Sequence, residues 1–307
     1  MLKITEHAWL LYNNPRSTQP PFEGNVVAAI RALSRKPVRF LVYTHYHGDH
    51  NLGAGAFLEA WPGVVIVSSD ATRANMSGAP MAYIKTYARD YQGMVDYGAV
   101  QSKDAKLPPD VRREWQHVVD IGPAMVAGYE GLRAYPASLV FRDSISLPDE
   151  QVPLEIAFLG KANTDGDAVI WAPRQRVLAT GDIVVHPIPY ASASYPASWL
   201  GVLDQLKTYD FAFLVPGHGS VQTDRSYLDK LQAAIADIKS QVEPLAAKGL
   251  GLDEVRKAMQ FSRLQDEFAG DNTWDRSQMR GFFLEALVSI AYKEAKGEPI
   301  VQGRDGG

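Results

Sequence analysis

The sequence predicts an α/β protein, and three observations lead there. Between residues 23 and 67 a helical apolar period alternates with short strand-like runs. Residues 152–179 hold three more short runs of strand character, separated by turn-rich segments. Beyond residue 223 the apolar positions follow only the helical period.

Residues 7–12 form a short apolar run closed by Asn13-Asn14-Pro15, which suits one strand and a turn, and a proline-rich loop follows over 15–22. Over 23–34, Val26, Val27, Ile30 and Leu33 recur at helical spacing, with Pro37 as the stop. Residues 38–43 read as a buried strand from their β-branched and aromatic content. From Thr44 the chain turns polar and rich in histidine, so the histidines sit just beyond a strand's carboxyl end. A helix over 52–61 and a strand over 64–67 continue the alternation.

Residues 82–135 break that rhythm. Tyr83, Tyr87 and Tyr91 fall on one helical face, and a second helical stretch carries Trp115, Val118, Val119, Met125 and Val126, which predicts an inserted helical hairpin. Strands are expected at 152–158, 168–171 and 177–179, then a helix at 197–207 and a strand at 211–215 leading into Pro216-Gly217-His218-Gly219. Leu228, Leu231, Ile235, Ile238 and Val242 mark one later helix, and Phe282, Leu284, Leu287 and Ile290 the last. The expected organisation is a core over 1–222 with the insertion at about 82–135, and a helical extension over 223–307 packed on it.

A net charge of −4, with no long Lys/Arg run, removes the electrostatic basis for a nucleic-acid partner. No segment reads as a membrane span, and residues 1–14 lack the basic head and long apolar run of a signal peptide. The chain as given reads as cytoplasmic, or as periplasmic or exported if its amino end is truncated. A small-molecule substrate is the expected partner, and the oligomeric state is not legible. With no cysteine in the chain, any metal must be bound by histidine and carboxylate.

Three of the seven histidines lie within Thr44-His45-Tyr46-His47-Gly48-Asp49-His50. In an extended stretch alternate side chains share a face, so His45 and His47 can converge on one ion while the turn at Gly48 redirects Asp49 and His50 toward a second. Such nitrogen and oxygen donors suit zinc, iron or manganese.

These residues resemble the metallo-β-lactamase superfamily, whose H-x-H-x-D-H motif after a strand is matched by His45 to His50. Gly160-Lys161-Ala162-Asn163-Thr164-Asp165-Gly166-Asp167 is similar to its second motif, the stretch ending in Gly181-Asp182 to its third, and Pro216-Gly217-His218-Gly219 to its last. The resemblance covers about residues 38–220 in the family's order. It implies an αββα sandwich with the metal ligands on loops at one edge. It further implies a first metal on His45 and His47, a second on Asp49, His50 and His218, and Asp182 bridging the two. The resemblance implies a catalytic role for Asp49 besides its role as a ligand. The implied cofactor is zinc, one or two ions, with iron or manganese as the lesser alternatives. An aspartate at position 182 resembles the glyoxalase II, lactonase and phosphodiesterase branches, whereas the β-lactamases of the fold carry cysteine or serine there.

Two departures stand out. Where most members place a third histidine for the first metal, this chain has Asn163, whose neutral amide is a weaker zinc ligand. The outcomes are a weak two-metal site, a single metal at Asp49, His50 and His218, or rescue by His186, which is otherwise a plain loop histidine. Asn163 and His186 are therefore candidates for an additional ligand or a substrate contact. At the amino end the family has two or more strands before the first helix, and here only residues 7–12 offer one. Either the chain is shortened or the proline-rich loop replaces an edge strand.

The leading functional expectation is a hydrolase that uses a zinc-activated hydroxide on an ester, lactone, amide, sulfate or phosphate-type bond. The loop after Asp182, with His186, Tyr190 and Tyr195, and the tyrosine face of the insertion would shape its pocket. Two alternatives are a weakly active or non-catalytic metal-binding scaffold, because of Asn163, and an iron-dependent oxidoreductase of the same fold.

Overall fold

The computed structural model describes residues 2–10 and 23–303. Strands β1 (Leu2–Thr5) and β2 (Ala8–Leu10) pair antiparallel at the amino end. This corrects the expectation of a single strand over 7–12. The first strand escapes a periodicity reading because it is four residues long and interrupted by Lys3, whose ammonium lies 5.9 Å from the Trp9 ring centroid on the partner strand. Residues 11 and 12 and the proline-rich loop lie outside the described residues.

The expected helix and strand that lead into the histidines are present as α1 (Glu23–Leu33) and β3 (Phe40–Val42), followed by α2 (Ala54–Ala60) and β4 (Val65–Ser69). A helix α3 (Asp70–Ser77) follows that the apolar pattern did not announce, capped by Ser69, whose Oγ accepts from the Thr72 amide at 3.2 Å. The insertion comprises a 3-10 stretch (Ala79–Thr86), α4 (Tyr87–Gln101) and α5 (Pro109–Tyr129). The helices meet closely: a Cβ on Gly122 of α5 would fall 2.6 Å from a Val95 methyl of α4.

Two short strands, β5 (Leu139–Phe141) and β6 (Ser144–Leu147), were not foreseen. The three strands expected next are β7 (Leu154–Phe158), β8 (Ala168–Ala172) and β9 (Val177–Val185). Helix α6 (Pro196–Thr208) and β10 (Phe213–His218) complete the alternating part. The rest is helical: α7 (Ser226–Ala247), α8 (Leu252–Ala258), α9 (Ser262–Ala269), α10 (Thr273–Gln278), a π-helical turn (Met279–Leu284) and α11 (Glu285–Lys296). Among the described residues no helix is long and apolar enough to cross a membrane.

Strands β3, β4 and β5 form one parallel sheet, and β10-β9-β8-β7-β6 a second in which only β10 and β9 run parallel. Between the sheets lie Val67, Phe141, Leu147, Ile156 and Ala168. Successive residues of a strand face opposite ways, so Ile66 instead joins Tyr43, Tyr46, Leu52 and Met76 on the outer face of the small sheet. The outer face of the large sheet packs Leu178 and Leu214 against Trp199 and Leu203 of α6, Leu231 and Ile235 of α7, and Leu287 of α11. Helices thus cover both outer faces, which is the αββα order.

Candidate metal centre

The candidate ligands gather where strands of both sheets end. His45 and His47 follow β3, Asp49 and His50 sit in a 3-10 turn (Gly48–His50), and His218 is the last residue of β10. Asp182 lies inside β9 rather than beyond it, because that strand runs on past residue 179 through an irregular register with β10. Gly181 makes this course sterically open: its φ is +51°, and a Cβ there would meet the Thr44 side chain at 2.5 Å. Gly217 is required for a second reason, since a Cβ on it would fall 1.9 Å from Asp182 Oδ1.

Two groups of ligand atoms form, His45, His47 and Asp182 in one and Asp49, His50 and His218 in the other. His45 Nε2 lies 3.0 Å from His47 Nδ1 and 3.6 Å from Asp182 Oδ2. His50 Nε2 lies 3.1 Å from His218 Nε2 and 3.3 Å from Asp49 Oδ2, and His218 Nε2 lies 3.1 Å from Asp49 Oδ2. The other oxygen of Asp182 is 3.3 Å from His50 Nε2 and 3.5 Å from His218 Nε2, so this one carboxylate reaches both groups. Atoms at 2.0–2.2 Å from a tetrahedral zinc ion are about 3.3–3.6 Å from one another, and the separations here, 3.0 to 3.6 Å, lie close to that. Asp182 Oδ1, moreover, is buried with no hydrogen-bond partner, a costly state that a cation relieves. The donor set therefore fits one or two divalent ions.

The protonation equilibria follow from this crowding. Burial, then the nearby His50, push the His45 imidazole well below its ordinary value, and burial does the same to His47, so both present neutral lone pairs. Burial also disfavours charge on His50, but Asp182 and Asp49 outweigh it and raise its pKa well above normal. The hydrogen bond that His218 donates to the Asp49 carboxylate raises the His218 pKa. Both aspartates are lowered although desolvation favours their neutral forms, Asp49 by His50 and His218 and the buried Asp182 by His50 and His45. The field that draws protons onto His50 and His218 is a field for cations.

Neighbouring groups fix the ligands. Thr44 Oγ1 lies 3.1 Å from His45 Nδ1, and a proton on that nitrogen leaves Nε2 bare toward Asp182. Asn51 donates its amide to the carbonyl oxygens of Tyr46 at 2.7 Å and His47 at 2.6 Å, pinning the histidine loop. Sequence reading missed Asn51, although its place directly after the motif is a usable signal.

Asn163 is fully buried, and neither atom of its amide has a hydrogen-bond partner. His186 lies apart from both ligand groups. Its ring packs edge-on against Tyr227 at 4.8 Å, and its amide donates to the His218 carbonyl oxygen at 3.1 Å, so the backbone rather than the imidazole meets the last motif.

The centre opens into a cavity of about 750 Å³ lined by His47, Asp49, Asp182 and His218. Of the residues expected to shape it, Tyr83, Tyr87 and Tyr190 line it, whereas Tyr91 packs on Tyr129 and Tyr195 receives the Gln302 amide. Asp275, Gln278, Phe282 and Gly303 line it too. Sequence reading assigned them no such role: Asp275 and Gln278 sit on a short polar helix, Phe282 falls within an apolar helical stripe, and Gly303 follows the last helix.

The profile of the Metallo-beta-lactamase superfamily matches residues 14–218, and the chain belongs to that superfamily. It is 25% identical over 248 residues to a linear primary-alkylsulfatase of Pseudomonas sp. (strain ATCC 19151), covering 75% of this chain and 44% of that protein. The chain thus spans less than half the length of that relative. Among solved structures it is similar to the stereoselective inverting sec-alkylsulfatase Pisa1 from Pseudomonas sp., with 19% identity and a TM-score of 0.58 over 89% of this chain and 44% of that one. A metallo-beta-lactamase family protein from Thermus thermophilus gives 17% identity and a TM-score of 0.51 over 89% and 81% of the two chains.

Proposed function

We propose that this chain is a zinc-dependent hydrolase of a small organic ester, with sulfate esters as its substrate class. The observation that carries the reading is the convergence of five candidate ligand side chains around a sixth, Asp182, at the floor of a cavity whose size suits a small molecule. The choice of sulfate over the other ester classes rests on the alkylsulfatase relative.

In this reading His45, His47 and Asp182 hold one ion and Asp49, His50, His218 and Asp182 the other. A divalent ion supplies Lewis acidity, which makes a coordinated water acidic near neutral pH and offsets negative charge developing on the substrate. Asp49, about half exposed and placed between His50 and His218, accepts a hydrogen from water entering the cavity and orients it. Tyr83, Tyr190 and Phe282 present aromatic surface to the organic part of the substrate.

The test is turnover by zinc-loaded protein on aryl and alkyl sulfates, carboxylic esters, a lactone, a phosphate diester and a cephalosporin. Sulfate ester cleavage that is lost with chelator, and reduced about a hundredfold or more in His218→Ala, is expected. Cleavage of another class instead would overturn the sulfate assignment. No turnover with zinc bound would favour a scaffold, and native iron with oxygen consumption an oxidoreductase.

A further inference from the structure

A second cavity lies on the other side of the 3-10 turn that carries Asp49. It measures about 310 Å³ and is walled by Val26 of α1, Leu41 of β3, Phe57 of α2, and Met125 and Leu132 in and after α5. Its polar end is formed by Asp49 and His50, two of the candidate ligands. Gly48, Asp49 and Tyr87 line this cavity and the larger one alike, so the two share a wall at the metal centre.

We infer that this cavity receives the linear hydrocarbon chain of the substrate while the ester group sits at the metal centre, an assignment that rests on the hydrolase reading above. Three features argue for a chain rather than a second polar group. The far walls are aliphatic or aromatic. The hydroxyls of the three tyrosines in its lining are engaged within the protein, Tyr43 donating to the Tyr135 carbonyl oxygen at 3.1 Å and Tyr87 and Tyr129 bonding to each other. Its lining includes neither Lys nor Arg, so a second anionic group would meet only Asp49 and no counter-charge other than the ligand histidines. Taking a methylene as close to a water in size, about 30 Å³, the volume suits roughly ten carbons. Each methylene taken from water strengthens binding roughly fourfold until the cavity is full.

The experiment compares zinc-loaded parent, Met125→Trp and Met125→Ala. For n-alkyl sulfates of two to twelve carbons, kcat/KM of the parent is expected to climb roughly fourfold per methylene and level off near ten. Met125→Trp should level off several carbons earlier while cleaving ethyl sulfate at the parent rate, which shows that it folds. Met125→Ala should level off no earlier than the parent. Calorimetric binding of 1-octanol, which has no bond to cleave, separates this inference from the proposed activity: at least tenfold weaker binding in Met125→Trp supports the site even where no sulfate is cleaved. Equal octanol affinity in parent and Met125→Trp, or a chain-length profile that the tryptophan leaves unchanged, would overturn it.

Discussion

At the scale of residues, His50 and His218 compete for protons and cations with the same nitrogen atoms. Both have raised affinities for a proton, His50 because Asp182 and Asp49 overcome its burial and His218 because of its bond with Asp49. In the metal-free protein this pair therefore holds on to a proton at pH values where an ordinary imidazole, near pH 6.5, is already neutral. An ion must displace those protons, so zinc affinity should rise with pH from 6 to 8, by up to about tenfold per pH unit for each proton released. Calorimetry in buffers of different ionisation enthalpy counts the protons, and affinity that is flat over this range with no proton release would contradict the account. The candidate ligands stood out in the sequence as residue types at motif spacing, and the fold brings them together. What the sequence did not carry was how Asp182 divides its two oxygens between the groups, because that depends on strand β9 continuing past residue 179 and bending at Gly181. Nor did it show that Asn163 is buried with its amide unpaired, which comes from the packing of the second motif beneath the site.

At the scale of elements, legibility followed length and amphipathic contrast. Helices α6, α7 and α11 announce themselves through long apolar stripes that join the core on the large sheet, and α1 through a shorter one. Strands β5 and β6 have three and four residues, too few for a period to stand out, and α3 is a mostly polar helix whose cue was only its serine cap. The inserted hairpin was legible from its tyrosine face, but its close helix contact was not, since small residues leave no apolar mark. That contact gives a prediction. Because a Cβ on Gly122 would lie 2.6 and 2.8 Å from the two Val95 methyls, Gly122→Val overpacks the α4–α5 seam and should cost about 1–3 kcal/mol in denaturant unfolding, despite valine's better helix propensity. A stability equal to or above the parent's would show that the hairpin is loosely packed.

At the scale of the whole molecule, one buried cluster runs from Ala162 and Val169 in the alternating part to Leu287 and Val288 in the last helix. The C-terminal helices are therefore packed against the sheet that carries Asp182 and His218, and they lend Asp275, Gln278 and Phe282 to the cavity above it. The central claim is that Asp182 joins two sets of ligands into one metal centre. The measurement that tests it most directly is zinc titration of metal-free parent and Asp182→Ala at one pH, with bound metal quantified after gel filtration. The account predicts that the parent retains at least one tightly held ion. In Asp182→Ala that ion should be lost or held at least a hundredfold more weakly, because each group loses the carboxylate oxygen that Asp182 turns toward it. Equal zinc content and equal affinity in the two proteins would contradict it.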